Sequence, residues 1–334
     1  MIQTAISHSN SRSVVGTVFR VVLAAAAIGF VATRVDVSTI VATLRQADTT
    51  WIILAALLLP VNLGLEAMTW YPVLRRVATR AGRGETCLAV LSGYPLGMFT
   101  PARVGELAGR ALSIREGDRT QIAVSAAVAR LADLVVVFVA GTATLIVGLW
   151  TGSLHFNGAI ALAGVSAAAS ILTTSVILAP GVIARLASRL HVLRRLEDKL
   201  EFLSELPLPV MAQVLGYAAL RLVVYAGQFV FLSFAFSSGG HPGLTWMAVL
   251  LTLHAKSIIP PITFLDLGIR EGAAAFFFGH LGLSAATGFS AALMLFVINL
   301  VLPALLGTPL ISRYRLRSAA VANESSPHLV EKDK

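Results

Sequence analysis

One cysteine, Cys87, stands among 334 residues, so an intrachain disulfide and a cysteine-based zinc or iron–sulfur site are both excluded. Charge is also scarce. Charged types make up 13% of the chain, against roughly 25% in soluble domains. That is too little to coat a globular surface of this length, which excludes a soluble enzyme and a disordered chain alike. Acidic residues are the rarer sign, 17 against 26 Lys and Arg. No basic run is interleaved with aromatics, so nucleic acid is not an expected partner. Missing too are a Gly-rich phosphate loop ending in Lys-Ser/Thr, an HExxH pair and an Asp-x-Asp pair, while the His residues are scattered. ATP-driven transport by this chain alone, a metal centre and a bound cofactor are therefore not expected. Apolar types are what the chain has in quantity, 56% of residues with a mean hydropathy of +0.81. The composition is that of an all-α, polytopic integral membrane protein.

A spanning helix needs about 20 mostly apolar residues, because the hydrocarbon core is about 30 Å thick. Five stretches qualify easily: Val14–Thr33, Trp51–Tyr71, Ile122–Trp150, Ala159–Pro180 and Val210–Phe236. A sixth runs from Ala285 to Ile311. The first has Arg12 and Arg20 ahead of its apolar run, like a signal peptide, but its length favours a retained helix. Basic residues gather in alternate loops, at Arg75 to Arg83, Arg185 to Lys199 and Arg313 to Arg317. The positive-inside rule puts those loops and both termini in the cytoplasm of a cell-membrane protein.

Two further apolar stretches, Thr86–Leu112 and Leu244–Leu281, are interrupted by Gly, Pro and charge. Each has both ends on one side in this alternation and reads as a re-entrant helical hairpin, giving six full spans plus two hairpins. Eight spans, with each broken stretch in a helix pair, is the alternative. Span, hairpin, span occurs in a first half, about 14–150, and again in a second, about 159–311. That is either an inverted repeat with a midplane site, as in many transporters, or chance and shared composition. Residues 183–205 form an amphipathic connector, on the inner leaflet or packed on cytoplasmic loops. The transmembrane region covers 1–318, and 319–334 reads as a disordered cytoplasmic tail.

Ionisable residues inside a membrane are costly and mark sites. Here they cluster. After Pro101 come Arg103, Glu106 and Arg110, on one face at i,i+3 and i,i+4 if helix resumes there. Two arginines at a helix N-terminus suit a phosphate; the alternative is a salt bridge that lets the hairpin insert. A second cluster is Asp266, Arg270 and Glu271, with His254 and Lys256 upstream. Arg270 and Glu271 are adjacent on a helix, so Glu271 is expected to find its partner elsewhere. Arg130 and Asp133, at i,i+3, read as a self-contained supporting pair. Arg221 has no acid within a turn, only Tyr217, Tyr225 and Gln228, and needs Glu106, Glu271 or a ligand phosphate. Glu66, near a helix end, reads as a snorkelling residue.

Pro101-Ala-Arg103-Val-Gly105-Glu106, Arg130-Leu-Ala-Asp133 and Gly268-Ile-Arg270-Glu271 resemble, in this order, the signatures of the lysylphosphatidylglycerol synthase transmembrane-region family. The resemblance runs from about Trp51 to Pro309. It implies the flippase-like membrane half of the enzymes that attach lysine to phosphatidylglycerol, without the aminoacyl-transfer domain. The family commonly has an acid just before the middle arginine; Ala129 stands there in this chain, which argues against proton coupling at that spot.

The expected function is movement of a phospholipid or lipid-linked anion between leaflets. Arg103, Arg110, Arg221 and Arg270 would hold the headgroup phosphate, with Glu106 and Glu271 orienting them and Arg130, Asp133 and Asp266 in support. The alternative is a membrane enzyme, or an accessory subunit, acting on a lipid-linked substrate of envelope assembly; an enzyme is the less favoured of the two. Expected partners are an anionic phospholipid or lipid-linked glycan, and a second copy of the chain or an envelope-synthesis enzyme.

Overall fold

The computed structural model describes residues 45–98, 100, 103–179, 181, 197–237, 240–258 and 266–310. The expected first span, Val14–Thr33, most of the 183–205 connector, Pro101 and the 319–334 tail lie outside the described residues.

Every regular element among the described residues is helical. In chain order they are α1 (Thr49–Leu57), α2 (Leu59–Val77), α3 (Arg83–Met98), α4 (Val104–Ser113), α5 (Arg119–Trp150) and α6 (Ala159–Leu178). Then follow α7 (Glu197–Leu200), α8 (Leu208–Ala235), α9 (Pro242–Ile258), α10 (Asp266–His280) and α11 (Ala285–Phe296). A π-helical turn, Val297–Val301, carries the last helix on to Leu310. Five helical stretches are long and apolar enough to cross a membrane: Thr49–Val77, Arg119–Trp150, Ala159–Leu178, Leu208–Ala235 and Ala285–Leu310. They coincide with the five apolar segments expected after the first.

Local chemistry explains the boundaries. The first of these spans breaks at Leu58 because Pro60, in the first turn of α2, has no N–H to give the preceding turn. Beside that break Gln228 of α8 donates through Nε2 to the Ala55 carbonyl at 2.9 Å. The start of α5 is capped by Asp118, whose Oδ1 accepts from the Thr120 and Gln121 N–H groups at 2.9 and 3.1 Å.

The two interrupted stretches become pairs of helices, α3 with α4 and α9 with α10, of 16, 10, 17 and 15 residues. All are shorter than the ~20 residues of a span. Each pair folds back on itself. The Arg115 N–H, just past α4, donates to Glu85 at the start of α3 at 2.9 Å. Residues from the start of α9 (Thr245) and the turn after α10 (Gly282, Ser284) line one cavity of about 280 Å³. Both are helical hairpins, the fold-back that the re-entrant reading and the eight-span alternative have in common. The glycines of α3 let the first close tightly: a Cβ on Gly93 would lie 2.9 Å from the Glu106 backbone oxygen, and one on Gly97 2.8 Å from the Glu106 Cβ.

The chain forms two compact units. One comprises the chain up to Ala55, Ala140–Ala163 and Ala226–Phe296; the other comprises Ala56–Val139, Gly164–Tyr225 and the chain from Val297. Each takes segments from both sequence halves. In the second unit Trp70, Leu74, Ala89, Val90, Ala111, Ile114 and Ile122 form a buried core around the α3–α4 hairpin. Leu200 and Leu203, at the described end of the connector, are buried against Val73, Val128, Ile177 and Val214. That end packs on α2, α5, α6 and α8, and Lys199 ties it to Asp118 at 2.7 Å.

Candidate functional site: a buried arginine–carboxylate network

Four arginines of the second unit, Arg103, Arg110, Arg130 and Arg221, converge on three carboxylates. Glu106, wholly buried on α4, receives Arg110 on Oε1 and both Arg103 and Arg130 on Oε2, Arg103 at 2.9 Å. Glu66 of α2 receives Arg110 on Oε1 and Arg221 on Oε2, the latter at 2.8 Å. Asp133 of α5 receives Arg221. Arg110 therefore bridges Glu66 and Glu106, and Arg221 bridges Glu66 and Asp133. Tyr94 of α3 donates its hydroxyl to Glu66 Oε2 at 2.6 Å, and Arg221 Nε donates to Asn62 Oδ1 at 3.3 Å. Asn62 in turn donates through Nδ2 to Asn299 Oδ1, in the π-helical turn of the last helix, at 2.8 Å.

Burial makes this arrangement consequential. Arg110 is 1% exposed, and taking such charges out of water costs several kcal/mol per ion unless each finds a partner. The guanidinium of Arg110 also lies over the Trp70 ring, 5.7 Å from its centroid, and that of Arg103 over the Tyr94 ring at 5.4 Å. Arg103 sits at the head of α4 with φ 55° and ψ 29°, the one non-glycine residue at positive φ among those described. Such backbone strain persists where surrounding contacts over-determine it and concentrates at functional sites. Thr100 holds the same corner, its Oγ1 accepting from the Gly105 N–H at 2.8 Å.

Several expectations are corrected here. Arg130 and Asp133 are not a self-contained pair: Arg130 reaches Glu106 on the hairpin and Asp133 takes Arg221. Helical side chains at i,i+3 are within reach of each other, but stronger partners on facing helices win. Arg221 pairs with Glu66 and Asp133, neither of which was expected to serve it. Glu66 is no snorkelling residue. It lies mid-span, 3% exposed, and joins the two bridging arginines. Its signal was present in the sequence as Asn62, Glu66, Thr69 and Trp70, polar-capable positions recurring on one helical face. Tyr94 and Asn299 were also missed, and single polar residues in apolar segments give no comparable pattern.

The second cluster lies in the other unit. Arg270 donates to its neighbour Glu271 at 2.6 Å, contrary to the expectation that the two point apart. The pairing works because Glu271 turns back to the helix start, its Oε2 accepting from the Gly268 N–H at 2.6 Å. Gly268, at φ 123°, takes a backbone conformation that side chains rarely allow. Arg270 also sits 5.5 Å from the centroid of the Phe296 ring. The Asp266 backbone begins α10, but its side chain is outside what is described. His254, 1% exposed on α9, packs its ring where a side chain on Gly141 would lie. Among the described residues no group of three or more His, Cys, Asp or Glu is placed to hold a metal ion.

Taken with the fold, the three motifs fall on a membrane-helix scaffold in which two of them, those of Arg103 and Arg130, meet at Glu106. No curated protein matches the chain. Its residues 17–307 match the model of one family, described as the lysylphosphatidylglycerol synthase TM region. The chain is a multi-pass membrane protein that belongs to the lysylphosphatidylglycerol synthase transmembrane-region family.

Proposed function

We propose that the protein carries an anionic lipid, a phospholipid or a lipid-linked anion, between the two leaflets of the cell membrane. One observation carries this reading: four guanidiniums against three carboxylates, held inside apolar helices around a folded-back hairpin. A network serving insertion alone would be expected to balance its charge, since each uncompensated buried ion is costly. The excess cation suits a ligand that brings one negative charge. A hairpin that inserts part-way gives that ligand a polar step inside the bilayer, as interrupted helices do at transporter midplanes.

Purified protein in liposomes carrying a fluorescent anionic phospholipid tests the reading. The expected result is protein-dependent movement of the label to the opposite leaflet, with the lipid chemically unchanged on chromatography. A modified lipid product would instead favour the enzyme reading, and label that stays in its leaflet would overturn transport of that lipid class.

A further inference from the structure

We infer that Arg103 and Arg130 form the anion-binding pair, selective for a monoanionic phosphodiester, while Arg110 and Arg221 are fixed framework; this rests on the lipid-binding part of the function proposed above. The four arginines differ in what their departure would strand. Arg110 bridges Glu106 and Glu66, and Arg221 bridges Glu66 and Asp133. Pulling Arg221 toward a ligand leaves Asp133 without a counter-ion, and Arg110, 1% exposed, ties two buried carboxylates together. Arg103 and Arg130 are different, because both sit on a single oxygen, Glu106 Oε2. When they turn to a ligand, Glu106 keeps Arg110 on Oε1.

Access sets Arg110 apart from the rest and favours Arg130 most. The side chain of Arg130 is 35% exposed, that of Arg103 19% and that of Arg221 16%, against 1% for Arg110. Arg103 Nε, like that of Arg110, is buried with no hydrogen-bond partner among the described residues, and on the more exposed Arg103 that is a donor to spare. Two adjacent guanidinium forks match the two non-bridging oxygens of a phosphodiester. Charge then sets the class. Seven ionised groups sum to one positive charge, which a monoanion cancels. A phosphomonoester dianion overshoots, and a zwitterionic headgroup leaves the excess in place. In a low-dielectric site such differences weigh more than in water.

Melting of the full-length protein in detergent micelles doped with phosphatidylglycerol, phosphatidic acid or phosphatidylcholine, or with inorganic phosphate added, tests this. Wild type is expected to be stabilised most by phosphatidylglycerol. Arg130→Gln and Arg103→Gln should melt near wild type without anionic lipid, because Glu106 retains two arginines, yet bind phosphatidylglycerol about tenfold more weakly. Arg110→Gln, the contrast, should melt lower with or without lipid. Unchanged lipid-induced shifts in the Arg103 and Arg130 variants would overturn the pair. A larger shift with phosphatidic acid, or an equal one with phosphatidylcholine or inorganic phosphate, would overturn the monoanionic phosphodiester. Transport is read separately in vesicles. Wild type that binds through Arg130 but moves no lipid ends the transport reading alone; wild type that moves lipid while Arg130→Gln binds normally ends this inference alone.

Discussion

Arg221 of α8 donates through Nη2 to Glu66 of α2 at 2.8 Å, from 155 positions further along the chain. The contact converts an arginine with no acid on its own helix into the tie between distant segments of one unit, and it makes Arg221 structural. Arg221→Gln is expected to destabilise the protein by about 3–5 kcal/mol, the usual effect of removing one member of a buried ion pair. Accumulation in membranes and the melting temperature without anionic lipid should both fall. A variant that is stable until lipid is compared would return Arg221 to the ligand.

Glu66→Gln should be as damaging, since Arg110 and Arg221 each lose an acceptor. Tyr94→Phe removes one hydrogen bond to a charged group and should cost less, about 1.5–3 kcal/mol. In the double variant the two effects should not add, because the tyrosine acts through the carboxylate it serves. Additive losses in chemical denaturation would separate the residues.

The hairpin depends on glycine where helices touch. Gly93→Ala places a methyl group 2.9 Å from the Glu106 carbonyl oxygen and 3.0 Å from Arg110 Cγ, and overpacking of this kind costs about 1–3 kcal/mol. Gly164→Ala, on a part of α6 with nothing within 4 Å, should be neutral or mildly stabilising. Thermal melts of the two variants side by side give the comparison.

Single cysteines on a Cys87→Ser background locate the hairpins in the bilayer. Gly84 and Arg115 flank the first pair, Gly243 and Ser284 the second, and all four positions are exposed. With an impermeant maleimide, the first two should label from the cytoplasmic face and the last two from the outer face. Labelling of Gly84 and Arg115 from opposite faces would mean that the stretch crosses the membrane once and forms no hairpin.

Outside the spans, the hydrogen bond from Lys199 holds the Asp118 carboxyl below its ordinary range. A lowered folded-state value means the tie is in place above the unfolded-state value and is lost as pH falls through the folded one. Proteolysis or hydrogen exchange of the Glu197–Leu203 segment should therefore rise below about pH 4. Asp118→Asn should give the same exposure at neutral pH, and protection that persists in that variant would show that the burial of Leu200 and Leu203 suffices.

The spans were legible because apolar length is a property of contiguous residues, and the expected Ile122–Trp150 differs from the observed Arg119–Trp150 by one turn. The hairpins were legible because Pro, Gly and charge interrupt Thr86–Leu112 and Leu244–Leu281 within reach of a span's length. Arg103, Glu106 and Arg110 came out on one face because that spacing is local. What sequence could not supply was partnership across helices. Arg130 and Asp133 look like a pair from their spacing, but the choice between a neighbour three residues away and a carboxylate on a facing helix is made by packing. The same holds for Glu271, whose turn back to the Gly268 N–H depends on a backbone angle that no periodicity encodes.

The reach of the Glu66 contacts has a consequence for synthesis. At roughly 5–20 residues per second, the chain reaches Arg110 some 2–9 s after Glu66, but Arg221 only about 8–30 s after it. Through that interval a mid-span carboxylate has entered the bilayer without its second counter-ion. Asn299, which joins the same chain of hydrogen bonds through Asn62, arrives later still. Until α8 is made, Glu66 has only one of its two arginines and Asp133 has none, so the ion-pair network closes last at Arg221.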